Sequence, residues 1–202
     1  MIQHSVISNK HASIILNVTD LSHTDSDELF IDMINPILSM IPITCLNITL
    51  NEIFIGTLID LMKCLPNLDS LFISSLSMIQ SRCLSIEETR IFRLLSNTNK
   101  ITKVNLEEMN DLEEVQFLVD LCPRMKYFEI DCTNGMCPEK VLQFILMKNT
   151  KYIRNLCVLC LKISSMNMNI IDKLKNITDI EQLCQKYTIE QIDSRIYFRL
   201  NL

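Results

Sequence analysis

The sequence predicts an α/β fold of stacked strand–helix units: a curved solenoid with parallel strands on its concave side and helices on its convex side. Three observations predict it. A six-residue pattern, apolar-x-x-apolar-x-apolar, recurs five times at intervals that fit one strand and one helix. The stretches between copies place apolar residues on one helical face. The chain holds only two glycines, Gly56 and Gly135, whereas a doubly wound sheet would want a Gly-rich turn after its first strand.

The copies read Ile43-Thr-Cys-Leu46-Asn-Ile48, Leu68-Asp-Ser-Leu71-Phe-Ile73, Ile101-Thr-Lys-Val104-Asn-Leu106, Met125-Lys-Tyr-Phe128-Glu-Ile130 and Ile153-Arg-Asn-Leu156-Cys-Val158. Their starts lie 25, 33, 24 and 28 residues apart. Phe30, Met33, Ile34, Ile37 and Ile41 supply a helical face before the first copy. Leu58, Leu61, Met62 and Leu65 do so before the second, and Val115, Leu118, Val119 and Cys122 before the fourth. Ser85 with Glu88, and Asn110 with Glu113, have the spacing of capping boxes, and Pro138 suits the first turn of the helix before the fifth copy. Neither a lone strand nor a lone helix buries its apolar side, and stacking like units does.

Residues 1–42 read as an irregular N-terminal repeat with a strand at Ile14–Val18, residues 43–163 as the repeats, and residues 164–202 as a C-terminal cap, all in one structural domain. In the cap, helices are expected from Ser164-Ser165 through Leu174 and from Asp179 through Cys184. The alternation of Arg195-Ile-Tyr-Phe-Arg-Leu200 predicts a terminal edge strand.

Leu65-Pro66-Asn67-Leu68-Asp69-Ser70-Leu71-Phe72-Ile73 and Cys122-Pro123-Arg124-Met125-Lys126-Tyr127-Phe128-Glu129-Ile130 resemble the cysteine-containing leucine-rich repeats of F-box substrate-recognition subunits of ubiquitin ligases. The resemblance spans about residues 40–163. It implies a horseshoe that binds protein through its strand side, with substrate recognition in such a ligase as its use. Three positions beyond each copy the family places Asn or Cys; Asn51 meets this, and Leu76, Met109, Thr133 and Leu161 depart from it. No F-box is read: Leu50-Asn51-Glu52-Ile53-Phe54 lies inside the repeats and lacks that module's Pro.

With 48% hydrophobic and 21% charged residues the chain is expected to fold rather than stay disordered. A net charge of −5 argues against a nucleic-acid partner, and the scarcity of glycine against a phosphate-cradling loop. No apolar run is long enough for a membrane span; Ile34 to Leu46 is broken by Asn35, Pro36 and Pro42. The odd count of nine cysteines, most in apolar contexts, suits a reducing compartment. The opening Met1-Ile2-Gln3-His4-Ser5 lacks the order of a signal peptide, so a cytoplasmic or nuclear location is expected.

Catalysis is not expected, and no cofactor or metal is assigned. All three histidines, His4, His11 and His23, fall in the first 23 residues, away from any other candidate group. The sharpest metal pattern, Cys132-x4-Cys137 with Cys157-x2-Cys160, would hold zinc only if the second pair bent, because residues three apart on a strand face opposite ways. Buried packing cysteines are the plainer reading. Glu107-Glu108 and Glu113-Glu114 suit a helix start better than a carboxylate dyad. Arg195, Tyr197 and Arg199 read as protective charges on an edge.

Side chains between the core positions of each strand are expected to form the binding face. These are Asn47 and Thr49, Phe72 and Ser74, Asn105 and Glu107, Glu129 and Asp131, then Cys157 and Leu159, with Tyr127 and Lys103 beside them. Asn47, Phe72, Asn105, Glu107, Tyr127, Glu129 and Asp131 are the residues assigned to a protein partner. Phe72 and Tyr127 are its aromatic anchors. Glu107, Glu129 and Asp131 would draw a basic segment, and Lys at 129 and 131 is expected to abolish that capture while leaving the melting temperature nearly unchanged. The alternative is a structural remnant of a larger repeat protein.

Overall fold

A computed structural model describes residues 2–5, 13–19, 41–78, 85–132, 136–149, 155–163, 170–180 and 187–200 of the chain. The fold is α/β with mostly parallel strands. The chain divides into two compact units, Met1–Ile101 and Thr102–Leu202.

In the first unit, β2 (Ile15–Val18), β3 (Cys45–Ile48) and β5 (Ser70–Ser77) run parallel, and β1 (Ile2–Ser5) pairs antiparallel to β2. The short β4 (Ile53–Phe54) pairs with the far end of β5 and leads into helix α1 (Ile55–Lys63). Helix α2 (Ile86–Thr98) follows β5. Its expected capping box is present: Ser85 Oγ accepts the Glu88 N–H at 3.1 Å, and the Glu88 carboxylate accepts the Ser85 N–H at 2.7 Å. That carboxylate lies against Gly56 of α1, where a Cβ would come within 2.8 Å of Glu88 Oε1. At the other end of α2, Asn99 accepts from Ile101 N–H and donates to Leu95 O, so one buried amide closes the helix and directs the chain onward.

In the second unit, β6 (Lys103–Glu108), β7 (Tyr127–Asp131) and β8 (Val158–Lys162) are parallel. Helix α3 (Leu112–Leu121) precedes β7 and α4 (Pro138–Asn149) precedes β8, with Pro138 at its first position as expected. Helix α5 (Ile170–Ile180) leads to a hairpin of β9 (Tyr187–Ile192) and β10 (Arg195–Leu200).

The apolar pattern lies in register. Leu46 and Ile48 oppose Leu71 and Ile73. Val104 and Leu106 oppose Phe128 and Ile130, which in turn oppose Leu159 and Leu161. The fifth copy is therefore Leu156-x-x-Leu159-x-Leu161, three residues later than the spacing suggested. With that correction every apolar position of the five copies is at most 2% exposed, whereas Val158 is half-buried. The predicted helical faces of α1 and α3 are buried too: Leu58, Leu61, Met62 and Leu65, then Val115, Leu118, Val119 and Cys122.

One main-chain joint recurs at the start of β3, β5, β7 and β8. A carbonyl oxygen accepts the N–H groups of two successive residues on the following strand. Ile14 O takes Thr44 and Cys45 at 3.0 and 3.1 Å, and Thr44 O takes Asp69 and Ser70 at 2.8 and 3.1 Å. Thr102 O takes Lys126 and Tyr127 at 2.8 and 3.0 Å, and Lys126 O takes Cys157 and Val158, both at 2.9 Å. Just upstream, the two motifs that resemble leucine-rich repeats make the same turn: Leu68 N–H reaches Leu65 O, and Met125 N–H reaches Cys122 O. Pro66 and Pro123 take the second turn position, where a fixed φ suits them.

Further expectations are corrected. The cap of α3 is Asp111, not Asn110; its Oδ1 accepts the Glu113 N–H, while Glu114 rather than Glu113 reaches back to the Asn110 N–H at 3.2 Å. Arg195–Leu200 is no edge strand, since β10 lies between β8 and β9 and pairs antiparallel with both. Asp179 falls within α5 and does not begin a second helix. The helical face at Phe30 to Ile37 and the residues Ser164-Ser165 and Leu183-Cys184 lie outside the described residues. No described helix is long and apolar enough to cross a membrane.

Candidate functional site

Alternation along each strand sends one set of side chains into the core and the other to an outer face. In the first unit that face is neutral. Asn17, Asn47 and Phe72 stand in one cross-strand row, and Asn47 Nδ2 donates to Asn17 Oδ1 at 2.8 Å. An amide ladder of this kind fixes both side chains, because each already serves the other. Phe72 closes the row at 37% exposed, a large apolar ring among polar neighbours. Beside it Ser70 Oγ donates to Asp69, and Ser13 Oγ meets Thr44 Oγ1 at 3.0 Å.

In the second unit the face is charged but largely self-compensated. Asn105 opposes Glu129, Glu129 opposes Cys160, and Cys160 opposes Tyr197. Both oxygens of Glu129 are used: Tyr127 Oη donates to Oε2 at 2.8 Å and Arg195 Nε donates to Oε1 at 2.9 Å. Lys162 Nζ donates to Asp131 Oδ2 at 2.6 Å, and Asp131 is buried. Arg199 lies 3.5 Å from Glu190. Lys103 and Glu107, both exposed, stand toward opposite ends of β6.

The expected acidic half is therefore matched by Arg195 and Lys162, cations the chain brings from elsewhere in its own sequence. Attraction for a basic segment is correspondingly weak, since each such pair is closed before a partner arrives. Cys157 and Leu159, expected on this face, give way to Val158, Cys160 and Lys162 once the fifth copy is moved. Leu159 is wholly buried in the core.

The thiols and phenols here are held neutral by burial. The Cys160 thiol is pushed up to about 11, chiefly by burial and further by the Glu129 carboxylate, while hydrogen bonds from Tyr127 and Tyr197 and the charge of Arg195 pull the other way. Tyr127 is raised by burial first and by its bond to Glu129 second, and Tyr197 by burial first. Arg195 is raised by the bond to Glu129, which favours its charged form. Burial alone pushes Cys122 up to about 12, and burial with the charge of Asp131 does the same to Cys132. These thiols pack as small apolar groups at neutral pH.

Of the four cysteines weighed as a zinc set, Cys132 and Cys160 are buried and Cys157 is exposed, its Sγ 3.4 Å from Asn155 O. Cys137 bonds Glu139 at 2.7 Å. Among the described residues no group of three or more His, Cys, Asp or Glu is placed to hold a metal ion. His4 lies in β1; His11 and His23 are outside the described residues.

The polar network of the second unit includes residues that sequence spacing did not assign to the outer face. Lys162 carries no signal beyond its position at a strand end. Arg195 and Tyr197 do carry one, the alternation of β10, which places both on one face; only the position of that strand within the sheet was misjudged. The sequence matches no family model, and it matches no curated protein.

Proposed function

We propose that this chain is a protein-interaction module built as a leucine-rich-repeat solenoid, binding its partner on the outer strand face. The observation that carries the reading is the repeated carbonyl joint, because within each unit it holds neighbouring strands in one register and lines up their outer side chains in rows. The buried triads at each copy support it as well. Phe72 is the anchor in the first unit: an aromatic ring more than one-third exposed in a neutral, amide-rich row is the kind of group that dominates binding energy. On the strand face of the second unit, taken by itself, Glu129 and Asp131 already have cations, so charge there does not favour a basic partner over a neutral one. The resemblance to F-box substrate-recognition subunits makes a ubiquitin-ligase substrate the expected class of partner, with any ligase-recruiting module supplied by another polypeptide segment.

Affinity capture with mass spectrometry tests this, run in parallel on the unaltered chain, Phe72→Ala and Leu94→Ala. Leu94 is exposed on α2, away from the strand face. A partner lost with Phe72→Ala and kept with Leu94→Ala supports the reading. A partner retained equally by all three chains removes the strand face from consideration.

A further inference from the structure

We propose that β9 is a pairing edge through which two copies of the chain join, antiparallel, about a two-fold axis at Ile189. The phase of the hairpin sets which main-chain groups point outward. Leu200 N–H donates to Cys157 O at 2.8 Å, and Ser194 O accepts from Ile163 N–H at 2.8 Å, so the even-numbered residues of β10 turn toward β8. Arg195, Tyr197 and Arg199 then turn toward β9, and Ile192, Glu190 and Thr188 answer them. Ile189 and Gln191 consequently direct their N–H and C=O groups away from β10. Among the described residues, β9 pairs with β10 alone.

Strand β9 lacks the features that discourage edge pairing. It has no Lys and no Pro, and its carboxylate at Glu190 is drawn toward Arg199. Its core-side flank is also incompletely covered. Phe198, the partner of Ile189 on β10, is 0% exposed, whereas Ile189 is only half-buried, and an added strand would complete that layer.

Charge selects both the occupant and the register. Centred on Ile189, Tyr187 stands opposite Gln191 of the second copy, Ile189 opposite itself, and Thr188 opposite Glu190, so no like charges meet. Centred on Glu190, the two carboxylates would face each other, which destabilises a cross-strand pair. A second copy therefore supplies apolar, amide and hydroxyl partners in the places where β9 presents the same set.

Sedimentation equilibrium on the full chain tests the proposal, with Thr188→Glu, Thr188→Lys and Gln191→Pro alongside. The unaltered chain is expected to dimerise with concentration. Thr188→Glu, facing Glu190 of the other copy twice by symmetry, weakens the dimer about tenfold, and Thr188→Lys tightens it. Within one chain the effects run the opposite way, because Thr188 opposes Arg199, so a folding defect cannot imitate this pattern. Gln191→Pro removes an outward donor without touching the hairpin ladder and is expected to leave monomers. A monomer mass at every concentration overturns the proposal, as does a shift of the same sign for both Thr188 variants. A monomeric chain whose capture of another protein is lost with Gln191→Pro also overturns it, and assigns the edge to that partner's strand.

Discussion

Arg195 and Glu129 are 66 residues apart in sequence, yet the guanidinium Nε sits 2.9 Å from the carboxylate, across the strand that separates them. Only 14% of the Glu129 side chain is exposed, against 44% for Arg195, so the pair is half shielded from water. Replacing Glu129 and Asp131 together by Lys would set two new cations beside Arg195 and Lys162. The melting temperature is expected to fall, contrary to the view that these carboxylates merely face solvent. The loss is about 2 kcal/mol after allowance for solvent screening, or roughly 5 °C for a chain of this size. An unchanged melting curve would remove the network from any structural role.

The position of the fifth copy is open to a direct contrast. Leu159→Ala is expected to cost about 2–5 kcal/mol, as are Leu71→Ala and Phe128→Ala, because all three side chains are 0% exposed. Val158→Ala should cost about 1 kcal/mol or less, since that side chain is only half-buried. Chemical denaturation of the four variants measures the difference. Equal costs at 158 and 159 would mean that the strand is not held in the register described.

Glu114 makes stability depend on pH. Burial pushes its carboxyl from 4.5 up to about 7, against the pull of hydrogen bonds from Asn110. The folded chain thus keeps a proton that the unfolded chain releases near pH 4.5, and stability declines as pH rises from 4.5 to 7. The decline attributable to this group is at most about 3 kcal/mol. Glu114→Gln, which retains an acceptor for the Asn110 N–H, should flatten that part of the profile. Parallel profiles for the two proteins would show that Glu114 is not the responsible group.

The β9–β10 turn holds Asp193 at φ 53°, in the left-handed region. Asp193→Gly is expected to gain about 0.5–1 kcal/mol by relieving the Cβ contact, and Asp193→Val to lose about 1–2 kcal/mol. Thermal melts order the three chains. Any order other than Gly, Asp, Val would contradict the assigned turn.

The fifth copy could not be placed from spacing alone, because Ile153-x-x-Leu156-x-Val158, Leu156-x-x-Leu159-x-Leu161 and Val158-x-x-Leu161-x-Ile163 overlap, and nothing local separates them. The carbonyl of Lys126 does separate them, and it is a non-local partner. The strand before the first copy was visible at Leu16 and Val18, but its leading position is Ser13, a polar residue that bonds Thr44 instead of filling the core. The helix start at Asp111 was missed by one residue because Asn110 and Asp111 both cap well, and the buried Glu114 decided between them. The outer strand face was legible as a row of alternate residues. Its electrostatics were not, because Lys162 and Arg195 reach Asp131 and Glu129 only after the sheet has formed.

The carbonyl joint is made wholly of backbone atoms, and this has a consequence for how such a chain tolerates change. Side-chain replacement leaves the splice between neighbouring strands intact; proline is the exception, because it deletes an amide hydrogen at positions such as 69, 70, 126, 127, 157 or 158. The intervening helical stretch can lengthen or shorten without altering how adjoining strands lock. Divergence of the surface and persistence of the scaffold thus become separable properties.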